Sequence, residues 1–351
     1  MRQLILFVLI LALAISVSSA RTWYIKADGS GDAPTIGAGV DSAAAGDTVL
    51  IAAGFYSEFD ISIVSPMSIC GETGDPLDVI VDGTAGYPHY RAIHIINVPG
   101  TVRIEGITIQ NSHETEIPGG GAIGSSCDEL ILENCILKGN EVITFGGAIA
   151  HYGPHLRLSN CVFCDNSTAT DGQENRGGGA VQFSGDHLSV SRCVFYRNTG
   201  GYIGGAIHVR EGTAEIRNST FYANRATLGG SVATEDFGTE LYNTVIASSV
   251  EGEGVWGCVT LTCSNLYGNE GGDWIDCIAD QHGINGNFSA CPSFCHADEG
   301  DLNLCDESPC APGNHPDGCD CGLIGAWPVN CACGPSTAES GTWGAIKAMY
   351  R

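Results

Sequence analysis

The feature that most constrains this chain is a repeat carried by two markers in one phase. Gly120-Gly121-Ala122, Gly146-Gly147-Ala148, Gly178-Gly179-Ala180, Gly204-Gly205-Ala206 and Gly229-Gly230-Ser231 recur at spacings of 26, 32, 26 and 25. A second series keeps the same spacings: Asn134-Cys135-Ile136-Leu137, Asn160-Cys161-Val162-Phe163, Arg192-Cys193-Val194-Phe195, Asn218-Ser219-Thr220-Phe221 and Asn243-Thr244-Val245-Ile246. The longer step is explained by an insertion near Asp171 to Arg176. Within each unit Leu130/Leu132, Leu156/Leu158, Leu188/Val190 and Ala214/Ile216 alternate with polar residues, the period of a half-buried strand.

A unit of about 25 residues holds three short strands and three turns, one coil of a solenoid in which each coil covers the face of the last. The Asn or Arg before each marker is placed at a bend, since Asn tolerates the left-handed conformation. The Cys/Ser/Thr column and the Phe column two positions later are expected to face inward. Asn140, Asn166, Asn198 and Asn224 are expected to form a ladder of stacked amides.

The ends differ from the middle. Arg2, the apolar run Leu4 to Val17 and Ser18-Ser19-Ala20 read as a signal peptide cleaved after Ala20. No second apolar stretch of spanning length follows, so no membrane span is expected after cleavage. Seventeen cysteines in an exported chain point to disulfides, and their odd number leaves at least one thiol unpaired within the chain. Eleven lie between Cys258 and Cys333, where the regular spacing fades. The expected organisation is a signal peptide at 1–20, a parallel β-helix at 21–253, final coils and a Cys-rich cap at 254–333, and a linker with a tail at 334–351. Trp343 to Arg351 reads either as a sorting tag or as a helix docked on the cap. Pairs such as Cys319/Cys321 lack the usual spacing of zinc ligands.

The stretch Arg21 to Glu58 resembles the opening coil of pectin-lyase-like right-handed parallel β-helix proteins. Gly46-Asp47-Thr48-Val49 and Gly54-Phe55-Tyr56 carry that resemblance, and Gly300 to Leu304, Ser308-Pro309-Cys310 and Ile324-Gly325-Ala326 resemble the closing coil of bacterial members. The resemblance implies an all-β, right-handed parallel β-helix with an N-terminal capping helix at Thr35 to Ala45. It does not imply one chemistry. The paired aspartates of polygalacturonase-like enzymes are missing, and His282-Gly283 is their only fragment here. The Gln-Asp of methylesterase-like enzymes has no counterpart, and His315-Pro316-Asp317 reverses the epimerase motif. Pectate-lyase-like chemistry, with acidic Ca²⁺ ligands beside a basic residue, is the least excluded.

One strip of side chains could bear function. After each Gly-Gly-Ala, one outward column holds Ala150, Gln182, His208 and Ala233, and a second holds Tyr152, Ser184, Arg210 and Glu235. With coils about 4.8 Å apart, Tyr152, Gln182, His208, Arg210 and Glu235 would form one polar, aromatic surface. It reads as a sugar-binding groove, as a lyase site with Arg210 or His208 catalytic, or as a solvated face where Arg210 and Glu235 pair. Asp28 and Asp32 are candidate Ca²⁺ ligands that lack the rest of an EF-hand loop; a plain polar turn is the competing reading. A formal charge of −25 disfavours nucleic acid. The leading expectation is a non-catalytic secreted or cell-surface protein that binds polysaccharide or a cell-surface component and needs no cofactor. The alternatives are a Ca²⁺-dependent polyuronate lyase and a structural adhesion stalk.

Overall fold

The computed structural model describes residues 19–86, 90–115, 119–169 and 176–333. The segment expected to be a signal peptide, apart from Ser19 and Ala20, and the expected tail from 334 lie outside them.

The chain winds as a right-handed parallel β-helix with three faces. One coil shows the path. Ile149–His151 lies in the second sheet and His155–Ser159 in the first. Asn160 bends the chain, and Val162–Cys164 lies in the third sheet. The first sheet runs from Thr22–Ile25 to Val259–Thr262, the second from Ile61–Ile63 to Val255–Trp256, and the third from Gly54–Ser57 to Asn265–Tyr267. The first two are joined into one 16-stranded sheet because Val181–Ser191 and Ile207–Arg217 run through the corner between them. Neighbouring coils pair in parallel and in the repeat's own register, as in Leu130↔Leu156↔Leu188↔Ala214.

Each marker has a physical cause. Asn134, Asn160, Arg192, Asn218 and Asn243 all bend with φ between 46° and 52°. The first glycine of each Gly-Gly is also left-handed, at φ 65° in Gly178. The second glycine is required by the stacking itself: a Cβ on Gly147 would lie 2.0 Å from the carbonyl oxygen of Gly179 in the next coil. The inward columns fill the core. Phe163, Phe195 and Phe221 stack with ring centroids 4.8 and 4.7 Å apart. Cys135, Cys161 and Cys193 are buried free thiols, and burial pushes those of Cys135 and Cys161 well above the ordinary thiol range. The amide ladder forms as expected: Asn140 donates to Asn166, Asn166 to Asn198 and Asn198 to Asn224, each at 3.0 Å.

The N-terminal end is closed by a helix, α1 (Ile36–Ser42), shorter than the sequence indicated. Thr35 Oγ1 caps its start by accepting from Ala38 N at 3.0 Å. It ends early because the Asp47 carboxylate captures the backbone N–H of Ala44 and of Arg21, together with the Trp23 indole. Ile36 and Val40 cover the core. The other end is closed by a 3-10 turn, Asp276–Gln281, whose Ile278 is buried in the core. Gln281 accepts from Leu261 N and donates to Val259 O, pairing the open edge of the last first-sheet strand.

The Cys-rich segment does more than cap. Beyond the final coil it folds back along the outside of the third sheet. There Leu302, Phe294 and Trp327 pack on Ile136, Val162, Cys164, Val194 and Tyr196. Disulfides Cys258–Cys277, Cys263–Cys321, Cys295–Cys331 and Cys305–Cys333 fasten the end turn and this flank. The sequence reading placed these bonds at the end of the solenoid but did not foresee a covered flank.

Candidate functional site

The side chains singled out in the sequence gather on the second sheet, around the corner into the first. Register sets the first column: Ala150 pairs with Gln182, Gln182 with His208 and His208 with Ala233. These residues point away from the core, yet all four are buried. The turn segments before each Gly-Gly-Ala lean over them. A Cβ on Gly177 would lie 2.8 Å from His208 Nδ1, and one on Gly119 would lie 2.7 Å from both Ala150 Cβ and Tyr152 Oη. This first column is therefore a covered floor, while Tyr152, Arg210 and Glu235 of the second are exposed.

His208 is held from both sides. Its Nδ1 lies 2.7 Å from Gln182 Oε1 and its Nε2 lies 2.9 Å from Glu235 Oε1. A carboxylate can only accept, so Nε2 carries a hydrogen. Nδ1 then either donates to the amide oxygen from a charged ring or accepts from the amide nitrogen as a neutral one. In both cases each ring nitrogen is engaged by the protein. The bond from His208 holds the Glu235 carboxyl below its ordinary 4.5, despite partial burial that opposes it.

Arg210 is placed by a β-bulge. Phe183 pairs with Val209, but Ser184 pairs with Glu211, leaving Arg210 as the extra residue. The straight-register column of the sequence reading is thus corrected at this position: Glu211, not Arg210, lies opposite Ser184 and accepts its hydroxyl at 3.0 Å. Arg210 turns outward. Its side chain is exposed and, among the described residues, makes no hydrogen bond or ion pair. It lies close enough to Glu235 and Tyr152 to favour their ionised forms. Burial outweighs this at Tyr152 and keeps its phenol above the ordinary value. The phenol ring is still 45% exposed, so it is open to a ligand.

No family model matches the chain, and no curated protein does. The site is therefore read from its own geometry. The exposed functional groups are the Arg210 guanidinium, the Tyr152 ring and the outer part of the Glu235 carboxylate. The His208 imidazole is buried and bonded to Gln182 and Glu235.

Sequence reasoning missed the neighbouring end of the floor. Arg91 and Glu114 form a buried ion pair at 3.4 Å, and Arg91 Nη1 donates to Gly119 O at 2.6 Å. The guanidinium fills the space above Gly124, where a Cβ would come within 1.6 Å of Nη1. The signal was the shrinking of the floor column to Gly124 and Ala150 just where Gln182 and His208 follow. Beyond it, Phe59 and Tyr90 stack at 5.4 Å, both exposed. The other sequence candidates lie elsewhere. Asp28 accepts from Ser30 N at 2.9 Å, which is turn chemistry, and Asp32 accepts from Tyr24 N at 2.9 Å, tying the loop to the first strand. Among the described residues the one group of three metal-type ligands is Cys305, Asp306 and Cys333, whose two sulfurs are joined in a disulfide. His282 packs on Trp274 near the C-terminal end turn.

The Glu235–His208 bond gives a pH signature. A carboxyl whose folded value is lowered stabilises the fold fully above its ordinary value and loses that contribution as pH falls through the folded one. Glu235→Gln should therefore reduce stability at neutral pH, by less than about 1 kcal/mol because the carboxylate side of the pair is exposed to solvent. The difference from wild type should shrink once pH drops below 4.5. Melting temperatures of both proteins across acid pH check this; parallel curves would mean that the bond contributes nothing.

Proposed function

We propose that this is an exported, non-catalytic protein of the pectin-lyase-like kind that binds a polysaccharide along its second sheet. The observation carrying the reading is the pairing of a locked histidine with an unpaired arginine. His208 has no nitrogen left to take a proton from a ligand, as a general base must. Arg210, set out of register by a bulge beside an exposed tyrosine, has only a ligand left to meet. A guanidinium next to an aromatic ring suits sugar hydroxyls and an occasional carboxylate. The charge of −25 sets a limit on the polymer, because a densely anionic chain is repelled over the rest of the surface. A glycan of low charge density fits best.

Binding to an array of neutral and acidic glycans tests this. Arg210→Ala should weaken the best ligand by about tenfold or more, the value of a charge-assisted hydrogen bond. Equal binding by the variant would remove Arg210 from the site. The rival reading is a Ca²⁺-dependent lyase with Arg210 as base. Unsaturated products released from a uronate polymer with Ca²⁺ by wild type, and lost in Arg210→Ala, would replace the binding proposal with that one.

A further inference from the structure

A cavity lies on the opposite side of the coil, between the bends leading into the third sheet and the C-terminal flank. The cavity there measures about 550 Å³, within the range of small-molecule sites. Its floor is built from the bend column, with Asn134, Asn160 and Arg192 on successive coils. Its opposite wall is Trp327 with Asn330, both carried by the disulfide-fastened flank.

The chemistry of these walls is specific. The carboxamides of Asn134 and Asn330 offer donors and an acceptor, the complement of a sugar hydroxyl. The indole offers a flat apolar face with a single donor. Arg192 is the unusual member. Four of the five bend positions in the repeat are Asn, which accepts a left-handed backbone readily, yet Arg192 holds φ 52°. Most arginines of this acidic chain have a partner of their own, such as Arg197 with Asp165, Arg157 with Glu129 and Arg225 with Glu251. Arg192 is exposed and, among the described residues, has none. A residue poorly suited to its backbone, whose side chain makes no bond among the described residues, lines the cavity.

We infer that this cavity binds one pyranose unit bearing a carboxylate, with the ring against Trp327, the hydroxyls on the amides of Asn134 and Asn330 and the carboxylate on Arg192. The site does not depend on the second-sheet groove, which faces another way and uses other residues.

The test uses the full mature chain, with glucuronate and glucose as probes, followed by ligand-observed NMR and by Trp fluorescence. Arg192→Asn restores the residue that the bend column prefers, so the variant is expected to fold at least as well as wild type. Wild type should bind glucuronate about tenfold or more tightly than glucose. Arg192→Asn should lose that preference while keeping glucose binding, and Trp327→Ala should lose both sugars. No binding of glucuronate by wild type, or the same preference in Arg192→Asn, overturns the inference. Preference abolished by Arg210→Ala and untouched by Arg192→Asn would place the acidic sugar in the second-sheet groove, ending this proposal and leaving the groove.

Discussion

Replacing Asn198 with alanine is expected to destabilise the protein by about 3–5 kcal/mol. The side chain is fully buried and makes four hydrogen bonds. Its Nδ2 donates to Phe163 O at 2.9 Å and to Asn224 Oδ1 at 3.0 Å. Its Oδ1 accepts from Asn166 N at 3.1 Å and from Asn166 Nδ2 at 3.0 Å. Alanine strands the Asn166 donors and part of the Phe163 carbonyl in the interior, where an unmet polar group costs roughly 1–3 kcal/mol. Water cannot easily replace the lost amide, because Asn166 and Asn224 close the site above and below. The repeat adds a second consequence. Coils touch only their neighbours, so a weakened junction divides the stack. Thermal unfolding followed by circular dichroism should show a lower and broader transition than wild type. A midpoint within error of wild type would mean that the amide ladder is dispensable.

That ladder was legible in the sequence because one residue type recurs in phase and has one buried use. The same holds for the bend column and the Phe stack, each of which repeats along an axis where neighbours are a coil apart. Two other features were not legible, for different reasons. The bulge at Arg210 leaves no trace in the spacing. The pairing offset runs from 26 at Phe183↔Val209 to 27 at Ser184↔Glu211 and back to 26 at His187↔Thr213, so a second irregularity cancels the first. A repeat count over the whole coil sees nothing, and the displaced residue is Arg210, on which the proposed binding rests. The covered flank did leave a trace. Ile136, Val162 and Val194 are apolar although they lie next to inward-facing Leu137, Phe163 and Phe195. A strand apolar on both sides is one that is covered on both. Reading only the inward alternation of the third sheet hid the segment that builds the second cavity. The partners of His208 were placed together by register, but its burial depends on turns from other coils, which no strand pattern encodes.

The glycine pair makes the sharpest claim about the fold, and Gly179→Ala tests it. Gly178 is left-handed at φ 65° and a Cβ there would meet Val181 O of its own turn at 2.4 Å, so its need for glycine is local to one coil. Gly179 is different: its constraint is the space between coils. A Cβ there would lie 2.0 Å from Gly205 O, 2.5 Å from Thr199 C and 2.7 Å from Gly200 N. All three are backbone atoms, so no side chain can swing away, and relief requires the two coils to separate locally. Separation would break the adjoining parallel pairing of Val181 with Ile207 and Gln182 with His208. The expected cost is about 3 kcal/mol or more, the upper range for overpacking. Gly313→Ala is the control, since that residue is left-handed at φ 84° and its Cβ would meet nothing within 4 Å. It should cost only the backbone penalty of about 1–2 kcal/mol. Because Gln182 positions His208, the damage from Gly179→Ala should reach the second-sheet groove and weaken glycan binding there, while Gly313→Ala leaves binding unchanged. Equal melting temperatures for the two variants would mean that the second glycine does not set the distance between coils.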